Sequence, residues 1–370
     1  MPTLFDPIDL GAIKAPNRIL MAPLTRARAT RDHVPVPIMA DYYAQRASAG
    51  LIISEATAVS RRAMGWPYAP GIWTREQVTA WRPITDAVHA AGGRIICQIW
   101  HMGRLVHPSF VEGARPLSSS ATTAAGECHT YEGKQPYAEA EPLDTQGIAD
   151  VIEEHRIAAL NAMEAGFDGI QMHGASGYLI DQFLRGNANR RADGYGGSEE
   201  NRIRFLAELT AAISDAIGSD RVSVRLSPNG EIQGVNDDSP YTLFRKTAAM
   251  LSELQIAFLE IIEPSFERES EGDILAANMK NKLLPVPVAP VIRDAFRGPL
   301  VLNYDYDLAA AQQALASGEA DAIAFGRAFI GNPDLPHRLR GGFPLVRDDV
   351  ATWYTQDERG YTDYPAYPAA

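Results

Sequence analysis

The chain has 370 residues, of which 46% are hydrophobic and 22% are charged. This balance is typical of a globular protein with ample material for a core, and it excludes a disordered or fibrous chain. Thirty-four Lys and Arg residues against 46 Asp and Glu residues give a net charge of −12. That charge disfavours nucleic acid and anionic membranes as partners, and it favours a small molecule.

The N-terminus and the apolar runs give no sign of export or membrane insertion. No run approaches the roughly 18 apolar residues that a membrane span needs, and the first six residues lack the basic-then-apolar order of a secretory signal. We therefore expect a cytoplasmic protein with no membrane partner, present as a monomer or a weak homo-oligomer.

The predicted elements begin with a hairpin over residues 4–16. Eight short apolar runs rich in β-branched residues follow, with helical patterns between them, as in parallel strands joined by crossover helices. The eight predicted strands cover residues 18–21, 51–54, 94–99, 169–172, 222–226, 258–262, 300–302 and 322–325.

The segments between these strands carry amphipathic helix patterns, and several open on a capping residue such as Thr74 or Ser198. The sixth crossover, residues 281–298, contains three prolines, which limit it to a short helix over residues 291–296. The other predicted helices cover residues 38–48, 75–91, 145–165, 199–217, 241–254, 307–317 and 333–339.

Eight strand–helix units without a break in composition fit a (β/α)8 barrel, or TIM barrel, better than a doubly wound open sheet. We expect a single domain over residues 1–370, with the N-terminal hairpin plugging the bottom of the barrel. Residues 101–143 follow the third strand and are too long for an ordinary loop between a strand and a helix. We predict that they form a capping excursion over the mouth of the barrel.

Polar residues follow every predicted strand, at the end where barrels of this type carry their chemistry. Three of them come after strands seven and eight, where barrels commonly hold phosphate, and this predicts a phosphorylated cofactor or substrate. The residues at the ends of the eight strands are Thr25, Glu55, Gln98, His101, His173, Arg225, Glu260, Glu263, Asn303, Gly326 and Arg327.

Two of these strands end on groups that need a partner. Arg225 interrupts an apolar run, and an arginine in a buried strand needs an anion. Two alternatives remain open: a salt bridge to Glu55 or Glu260, and a cofactor ring that can carry negative charge. His173 and Tyr178 flank a glycine-rich turn, so an imidazole N–H and a phenolic O–H can enter one pocket.

The two cysteines, Cys97 and Cys128, exclude a disulfide framework and the ligand set of an iron–sulfur cluster. A metal site that adds His101 and His107 would have spacings that match no zinc pattern. We therefore predict no metal, with Cys97 as an inert buried thiol.

Several strings of residues lie around these positions. They are residues 21–26, 98–104, 173–184, 195–202, 325–327 with 332–335, and 360–365. On these strings the chain resembles the old yellow enzyme family, of the N-ethylmaleimide reductase and glycerol trinitrate reductase-like type, from residue 4 to residue 367. The resemblance implies an FMN-dependent NAD(P)H oxidoreductase, an ene-reductase on a (β/α)8 barrel.

Carried over position by position, the resemblance implies a site for non-covalent FMN. Thr25 would bond the flavin carbonyl near N5, Gln98 would hold the pyrimidine edge, and Arg225 would face N1 and O2. Asn303, Gly326 and Arg327 would bind the phosphate. The implied cofactor-binding set is Pro23, Thr25, Gln98, Arg225, Asn303, Gly326 and Arg327.

The resemblance also implies a substrate pocket over the flavin. His173 would bind the carbonyl or nitro oxygen of the substrate, and Tyr178 would donate the proton. Trp66, Trp100 and Tyr354 would form the pocket walls.

Ser176 departs from the family pattern. The family places His or Asn three residues after the first histidine, where it supplies a second donor to the substrate oxygen. Serine is shorter, so we expect Ser176 to reach that oxygen only through a water or not at all.

The implied reaction is the reduction of an activated C=C bond, by hydride from flavin N5 and a proton from Tyr178, with NADPH or NADH as reductant. Enones, nitroalkenes, maleimides and nitrate esters are the expected small-molecule partners. The alternatives are another FMN barrel, such as dihydroorotate dehydrogenase, and a flavin-binding module that lost turnover through Ser176. Dienoyl-CoA reductases normally carry an iron–sulfur cluster and an extra flavin domain, and two cysteines in 370 residues exclude them.

Overall fold

The structure is a computed structural model that describes residues 1–263 and 286–368. Short strands run through the described chain, most of them parallel. In chain order they are β1 (Ile8–Leu10), β2 (Ile13–Ala15), β3 (Ile19–Met21), β4 (Leu51–Ile53), β5 (Thr57–Ala58), β6 (Ile95–Trp100), β7 (Leu117–Ser118), β8 (Glu127–Thr130), β9 (Gly133–Pro136), β10 (Glu141–Pro142), β11 (Ile170–His173), β12 (Val222–Leu226), β13 (Phe258–Ile262), β14 (Leu300–Asn303) and β15 (Ala322–Phe325).

Eight of these strands form a closed parallel barrel. Its order is β3, β4, β6, β11, β12, β13, β14 and β15, and the ring closes because β15 pairs with β3. The predicted (β/α)8 barrel is confirmed, and each of its strands falls on a predicted run.

Helices lie between the barrel strands, as predicted. They are α1 (Ile38–Ala44), α2 (Arg75–Ala90), α3 (Thr145–Glu164), α4 (Leu179–Leu184), α5 (Glu199–Ile217), α6 (Pro240–Glu253), α7 (Ala289–Ala295), α8 (Leu308–Ser317), α9 (Arg327–Gly331) and α10 (Leu335–Gly341). The short helix of the sixth crossover is α7, whereas residues 281–285 of that crossover lie outside the described residues.

One predicted helix start was wrong. The sequence placed a helix at residues 333–339, directly after Asn332, but α10 begins at Leu335. Asn332 does not cap it, because its side-chain amide is bonded to Ala328 O and Val346 O and its Oδ1 accepts from Val346 N. The helix α4, after the His173 turn, was not predicted.

The N-terminal hairpin closes the bottom of the barrel, as predicted. β1 and β2 pair antiparallel, and Gly11 at their turn has φ of +62°, a conformation that favours glycine. Leu10 and Ile13 belong to one buried apolar cluster with barrel residues such as Phe258. The hairpin therefore completes the core from below and leaves the opposite end for chemistry.

The excursion over residues 101–143 contains two small sheets. β8 and β9 form an antiparallel hairpin, and β7 pairs with β10. Buried Arg104 ties the excursion to the loop after β12, since its guanidinium donates to Thr122 Oγ1 at 3.1 Å and to Gln233 O at 3.0 Å. The sequence predicted the excursion but not its strands.

Two buried histidines pack against each other beside the barrel. The rings of His101 and His155 are nearly parallel, with centroids 6.3 Å apart. His155 Nδ1 donates to Val151 O at 2.7 Å. Burial lowers the pKa of His155 to about 4 and lowers the pKa of His101 well below its ordinary value.

We expect this pair to make folding stability fall in mild acid. Below pH 6.5 the unfolded chain gains a proton on His155 that the folded chain takes up only near pH 4, so protons favour unfolding across that window. His155→Phe should reduce the loss of unfolding free energy between pH 7 and pH 5 by about 2 kcal/mol. Urea denaturation of both proteins at the two pH values measures it, and equal losses would show that His155 is not buried in its neutral form.

Candidate active site

Strand register brings the polar residues together at the carboxyl end of the barrel. Gln98 on β6 stands opposite Gln171 on β11, and His173 stands opposite Arg225 on β12. Arg225 in turn stands opposite Glu260 on β13. Because adjacent parallel strands put paired residues side by side, these groups form one continuous array.

The array is a buried hydrogen-bonded chain that we call the polar belt, formed by Gln98, Gln171, Glu260, Arg225 and Asn303. Gln98 Nε2 donates to Gln171 Oε1 at 2.8 Å, and Gln171 Nε2 donates to Glu260 Oε2 at 2.7 Å. Arg225 Nε lies 2.9 Å from Glu260 Oε1, and Arg225 Nη2 donates to Asn303 Oδ1 at 2.7 Å. Each member of the belt is at most 9% exposed.

Of the two carboxylates predicted as partners of Arg225, Glu260 and not Glu55 forms the salt bridge. Glu260 is fully buried against the guanidinium, whereas Glu55 accepts hydrogen bonds from the backbone N–H groups of Arg26 and Ala27. Burial lowers the pKa of Arg225, and the charge of Glu260 acts in the opposite direction. The salt bridge to Glu260 does not exclude a contact between Arg225 and a cofactor ring, because Glu260 pairs with Nε of the guanidinium.

The belt leaves two groups for a ligand. Within residues 1–263 and 286–368, Oε1 of Gln98 and Nη1 of Arg225 make no hydrogen bond. Gln98 on β6 and Arg225 on β12 stand on either side of β11. An acceptor and a cationic donor in that arrangement are complementary to an imide edge, which presents an N–H beside carbonyl oxygens. The pyrimidine edge of a flavin is such an edge, so these residues fit the group that the resemblance implies.

The other predicted cofactor residues lie around this array. Pro23 is buried and Thr25 half-buried in the loop after β3, at the barrel mouth. Gly326 precedes α9, and among the described residues a Cβ built on it would meet Leu24 Cδ2 alone, at 3.5 Å, so these residues leave this side of the loop open. Gly326 and Arg327 directly follow β15, which pairs with β14, the strand that ends at Asn303.

The side chain of Asn303 makes two hydrogen bonds within the barrel. Its Oδ1 accepts from Arg225, and its Nδ2 donates to Ala324 O at 2.6 Å. The amide side chain therefore holds the belt to β15, and the second hydrogen of Nδ2 is the side-chain donor that it could still offer to a phosphate.

A neutral imidazole stands above the belt. Burial, and secondly the charge of Arg225, lower the pKa of His173 well below its ordinary value, so the ring is uncharged. Its Nδ1 accepts a long hydrogen bond, 3.4 Å, from Ala175 N, which assigns the ring proton to Nε2. His173 is therefore a neutral hydrogen-bond donor.

Tyr178 and Trp100 pack against this imidazole. The ring of Tyr178 meets His173 edge-on at 4.7 Å and Trp100 edge-on at 5.0 Å. Burial raises the pKa of Tyr178 above its ordinary value, so the phenol stays protonated through the physiological range. The cluster of His173, Tyr178 and Trp100 combines a neutral donor with a weakly acidic O–H.

Ser176 sits in the turn between these two residues. Its φ of 59° lies in the left-handed region, and its backbone N–H donates to Ser227 Oγ at 2.8 Å. The side chain is half-buried. The turn therefore fixes position 176 beside His173, with a short hydroxyl where a longer polar group is usual.

Aromatic side chains from three parts of the chain form one wall. Trp66 lies 5.5 Å from Tyr354 and 5.0 Å from His129 on the β8–β9 hairpin. Tyr354 is 46% exposed, so it forms the rim of the pocket more than its lining. The sequence did not predict His129, because no motif in residues 101–143 indicates which of their side chains contacts Trp66.

Two buried arginines hold the C-terminal segment that carries Tyr354. Arg28 donates to Trp353 O at 2.5 Å and to Thr352 O at 3.1 Å, and its guanidinium lies 4.4 Å from the ring of Tyr361. Arg26 donates to Gly360 O at 2.6 Å. The loop that carries Thr25 is therefore clamped to the segment that forms the rim.

The described residues offer neither a metal site nor a membrane-spanning helix. In the described part of the chain, no group of three or more His, Cys, Asp or Glu side chains could hold a metal ion. Cys97 is fully buried, and burial raises the pKa of its thiol to about 12. Among the described helices, none is long and apolar enough to cross a membrane.

Comparisons with known proteins agree on one group of enzymes. A family model described as "NADH:flavin oxidoreductase / NADH oxidase family" matches residues 3–345. A protein of Leishmania infantum described as a probable flavin mononucleotide-dependent alkene reductase is 40% identical over 368 residues, which cover 98% of this chain and 97% of that protein.

Solved structures give the same result for the whole chain. An old yellow enzyme homologue from Zymomonas mobilis is 54% identical, with a TM-score of 0.94 over 99% of this chain and 100% of that chain. Morphinone reductase in complex with tetrahydroNAD is 42% identical, with a TM-score of 0.91 over 100% of this chain and 98% of that chain.

Proposed function

The chain belongs to the NADH:flavin oxidoreductase / NADH oxidase family, and from this premise we propose which alkenes it reduces and which residues do the work. It is an NAD(P)H-dependent flavin ene-reductase of the old yellow enzyme type, with FMN as its cofactor. We infer that its substrates are alkenes activated by a carbonyl, nitro or imide group, and that nitrate esters are also accepted.

The residues that would hold FMN follow from the site. Gln98 and Arg225 would meet the pyrimidine edge, Thr25 would meet the carbonyl near N5, and Gly326 with Arg327 would meet the phosphate. When bound, FMN would supply the hydride for the alkene, with the nicotinamide as its source.

His173 and Tyr178 act on the substrate. The neutral Nε2–H of His173 donates to the carbonyl or nitro oxygen, where negative charge develops as the β-carbon is reduced. The phenol of Tyr178 gives its proton to the α-carbon, and Trp66, Trp100 and Tyr354 enclose the alkene.

The single observation that carries this proposal is the contact of His173 with Tyr178 directly beside Arg225. A neutral donor and a protonated phenol whose ring centroids lie 4.7 Å apart can serve the oxygen and the α-carbon of one enone. If His173 and Tyr178 had a purely structural role, we would expect a hydrogen bond between them. Instead their rings contact each other edge to face.

Steady-state turnover tests the proposal. The protein is supplied with NADPH or NADH and with 2-cyclohexenone, a nitroalkene, N-ethylmaleimide and a nitrate ester, and products are identified by gas chromatography. We expect the saturated ketone from cyclohexenone, and His173→Ala to raise the KM of the enone. Absence of both nicotinamide oxidation and reduced product would show that the protein is a flavin-binding module instead, and nicotinamide oxidation without any reduced product would show that oxygen is the acceptor and not an alkene.

We expect Ser176→Asn to improve the oxygen site. Asparagine tolerates the left-handed backbone of position 176 and extends its donor further than serine. Loss of one oxyanion donor costs roughly 10²–10³ in rate in hydrolases, and a serine that partly substitutes should cost less. We expect the variant to bind p-hydroxybenzaldehyde more tightly, seen in its long-wavelength band, and to reduce cyclohexenone faster.

The control for this substitution is Ser176→Ala, which removes the hydroxyl and adds no donor. If it binds the phenol as the parent does while Ser176→Asn binds it more tightly, the parent hydroxyl does not reach the oxygen. Equal or weaker binding in Ser176→Asn would show that serine is already an adequate donor.

We also propose that residues 1–370 act as one domain, in the cytoplasm, as a monomer or a weak homo-oligomer. The residues proposed for the site all belong to one copy of the chain, which supports this part of the proposal. Light scattering coupled to gel filtration measures the mass, and a stable higher oligomer at micromolar concentration would contradict this part of the proposal.

A further inference from the structure

A carboxylate stands where the proposed function needs a phosphate to bind. Asp305 follows β14 by two residues, and its Oδ1 accepts a hydrogen bond from Nη2 of Arg327 at 3.0 Å. Arg327 follows β15, the strand that pairs with β14, so the contact joins two neighbouring loops at the barrel mouth.

The pair is only partly shielded from water. The side chain of Asp305 is 21% exposed and that of Arg327 is 35% exposed. Solvent weakens the electrostatic interaction between such partly buried charges less than that between fully exposed ones. The interaction still becomes weaker as the salt concentration rises. The carboxylate therefore acts on any anion that approaches Arg327.

The backbone holds this carboxylate in an uncommon conformation. Tyr304 has φ of 135° and Asp305 has φ of 32°, two successive non-glycine residues at positive φ. Such conformations persist where surrounding structure imposes them, and they cluster at functional sites. The position of Asp305 is thus fixed by the loop.

We propose that Asp305 competes with the FMN phosphate for Arg327 and so weakens the hold of this chain on its cofactor. The proposal rests on the proposed function, in which the phosphate binds at Arg327. A phosphate dianion brought to that guanidinium meets the negative charge of Asp305 on the same group, and the two anions repel each other across a few ångströms. Asp305 is then a residue that sets cofactor affinity, and it takes no part in the chemistry on the alkene.

Asp305→Asn isolates the charge. Asparagine keeps an Oδ1 acceptor for Arg327 and is among the residues that most readily adopt positive φ. The bond that orients the guanidinium and the backbone are therefore retained, while the negative charge is lost.

The test compares FMN with riboflavin, which lacks only the phosphate. The full-length protein is freed of flavin by dialysis against potassium bromide and titrated with each ligand, and binding is followed by quenching of flavin fluorescence. For Asp305→Asn we expect FMN to bind about 10-fold more tightly at low salt, with the gain shrinking as salt is raised. Riboflavin binding should be unchanged.

Arg327→Ala serves as the matched comparison, since it removes the cation that the two anions share. We expect it to weaken FMN binding and leave riboflavin binding unchanged. An unchanged FMN affinity in Arg327→Ala, or FMN binding that is equal or weaker in Asp305→Asn, would overturn the inference. So would an equal gain for riboflavin. Parent protein that binds neither flavin would overturn the proposed function itself, which separates the two failures.

Discussion

We expect Tyr178→Phe to slow the reduction of cyclohexenone by about 10²- to 10⁴-fold, the range that a general acid typically contributes. The substitution removes one oxygen atom and leaves the edge-on contacts with His173 and Trp100 in place. In the proposed mechanism the phenol is needed only when the α-carbon is protonated. The rate at which NADPH bleaches the bound chromophore should therefore stay within a few-fold of the parent rate.

Anaerobic stopped-flow measures the two half-reactions separately. An alkene that accepts its proton readily from solvent, such as a nitroalkene whose anion is stable, provides the internal control, because it should lose much less rate than cyclohexenone. Equal slowing of bleaching and of reoxidation would show that Tyr178 binds the nicotinamide or stabilises the fold. The proton would then come from another group.

The second large effect concerns the polar belt. We expect Arg225→Met to lower the free energy of unfolding by about 3–5 kcal/mol, because it leaves the carboxylate of Glu260 buried without its cation. In the proposed function the same change also removes a donor to the pyrimidine edge, so FMN should be retained poorly. Urea denaturation of the flavin-free proteins measures the stability, without any contribution from cofactor binding.

The matched control is the double variant Arg225→Met with Glu260→Gln. Glutamine can keep the hydrogen bond from Gln171 and carries no charge, so we expect the double variant to recover more than half of the lost stability. Its FMN binding should stay weak, since the cation is still absent. If the double variant is as unstable as the single one, the cost comes from packing around Arg225 and not from an unpaired carboxylate.

The barrel could be predicted from the sequence because its signal is local. Each strand is a short apolar run with β-branched residues, buried on both faces, and eight such runs alternate with helical patterns. The polar residues at the strand ends could be found in the same way, since a group such as Arg225 inside an apolar run is visible without knowing its neighbours.

The pairing of these groups could not be predicted, because it depends on register around the ring. Arg225 faces Glu260 and not Glu55 since β12 pairs with β13, whereas Glu55 is used by backbone N–H groups of the first loop. Gln171 was missed as a member of the belt although the sequence carried a signal, a glutamine inside the buried run 170–173.

The roles of the individual site residues and the single-domain organisation stay predictions. For the phosphate end, the sequence pointed to Asn303, Gly326 and Arg327, but it did not reveal that the Asn303 amide is committed to Arg225 or that Asp305 reaches Arg327. The first contact needs β12, β13 and β14 side by side, and the second needs the loops after β14 and β15 to meet, so both depend on strand pairing around the ring.

The most direct test of the account is an anaerobic cycle on the purified protein. NADPH is added until the absorbance of the bound chromophore is bleached, and 2-cyclohexenone is then added without oxygen. We predict that the absorbance returns fully, with one cyclohexanone formed per chromophore and a rate that falls in Tyr178→Phe. Absorbance that stays bleached until oxygen is admitted would contradict the assignment of this site to alkene reduction.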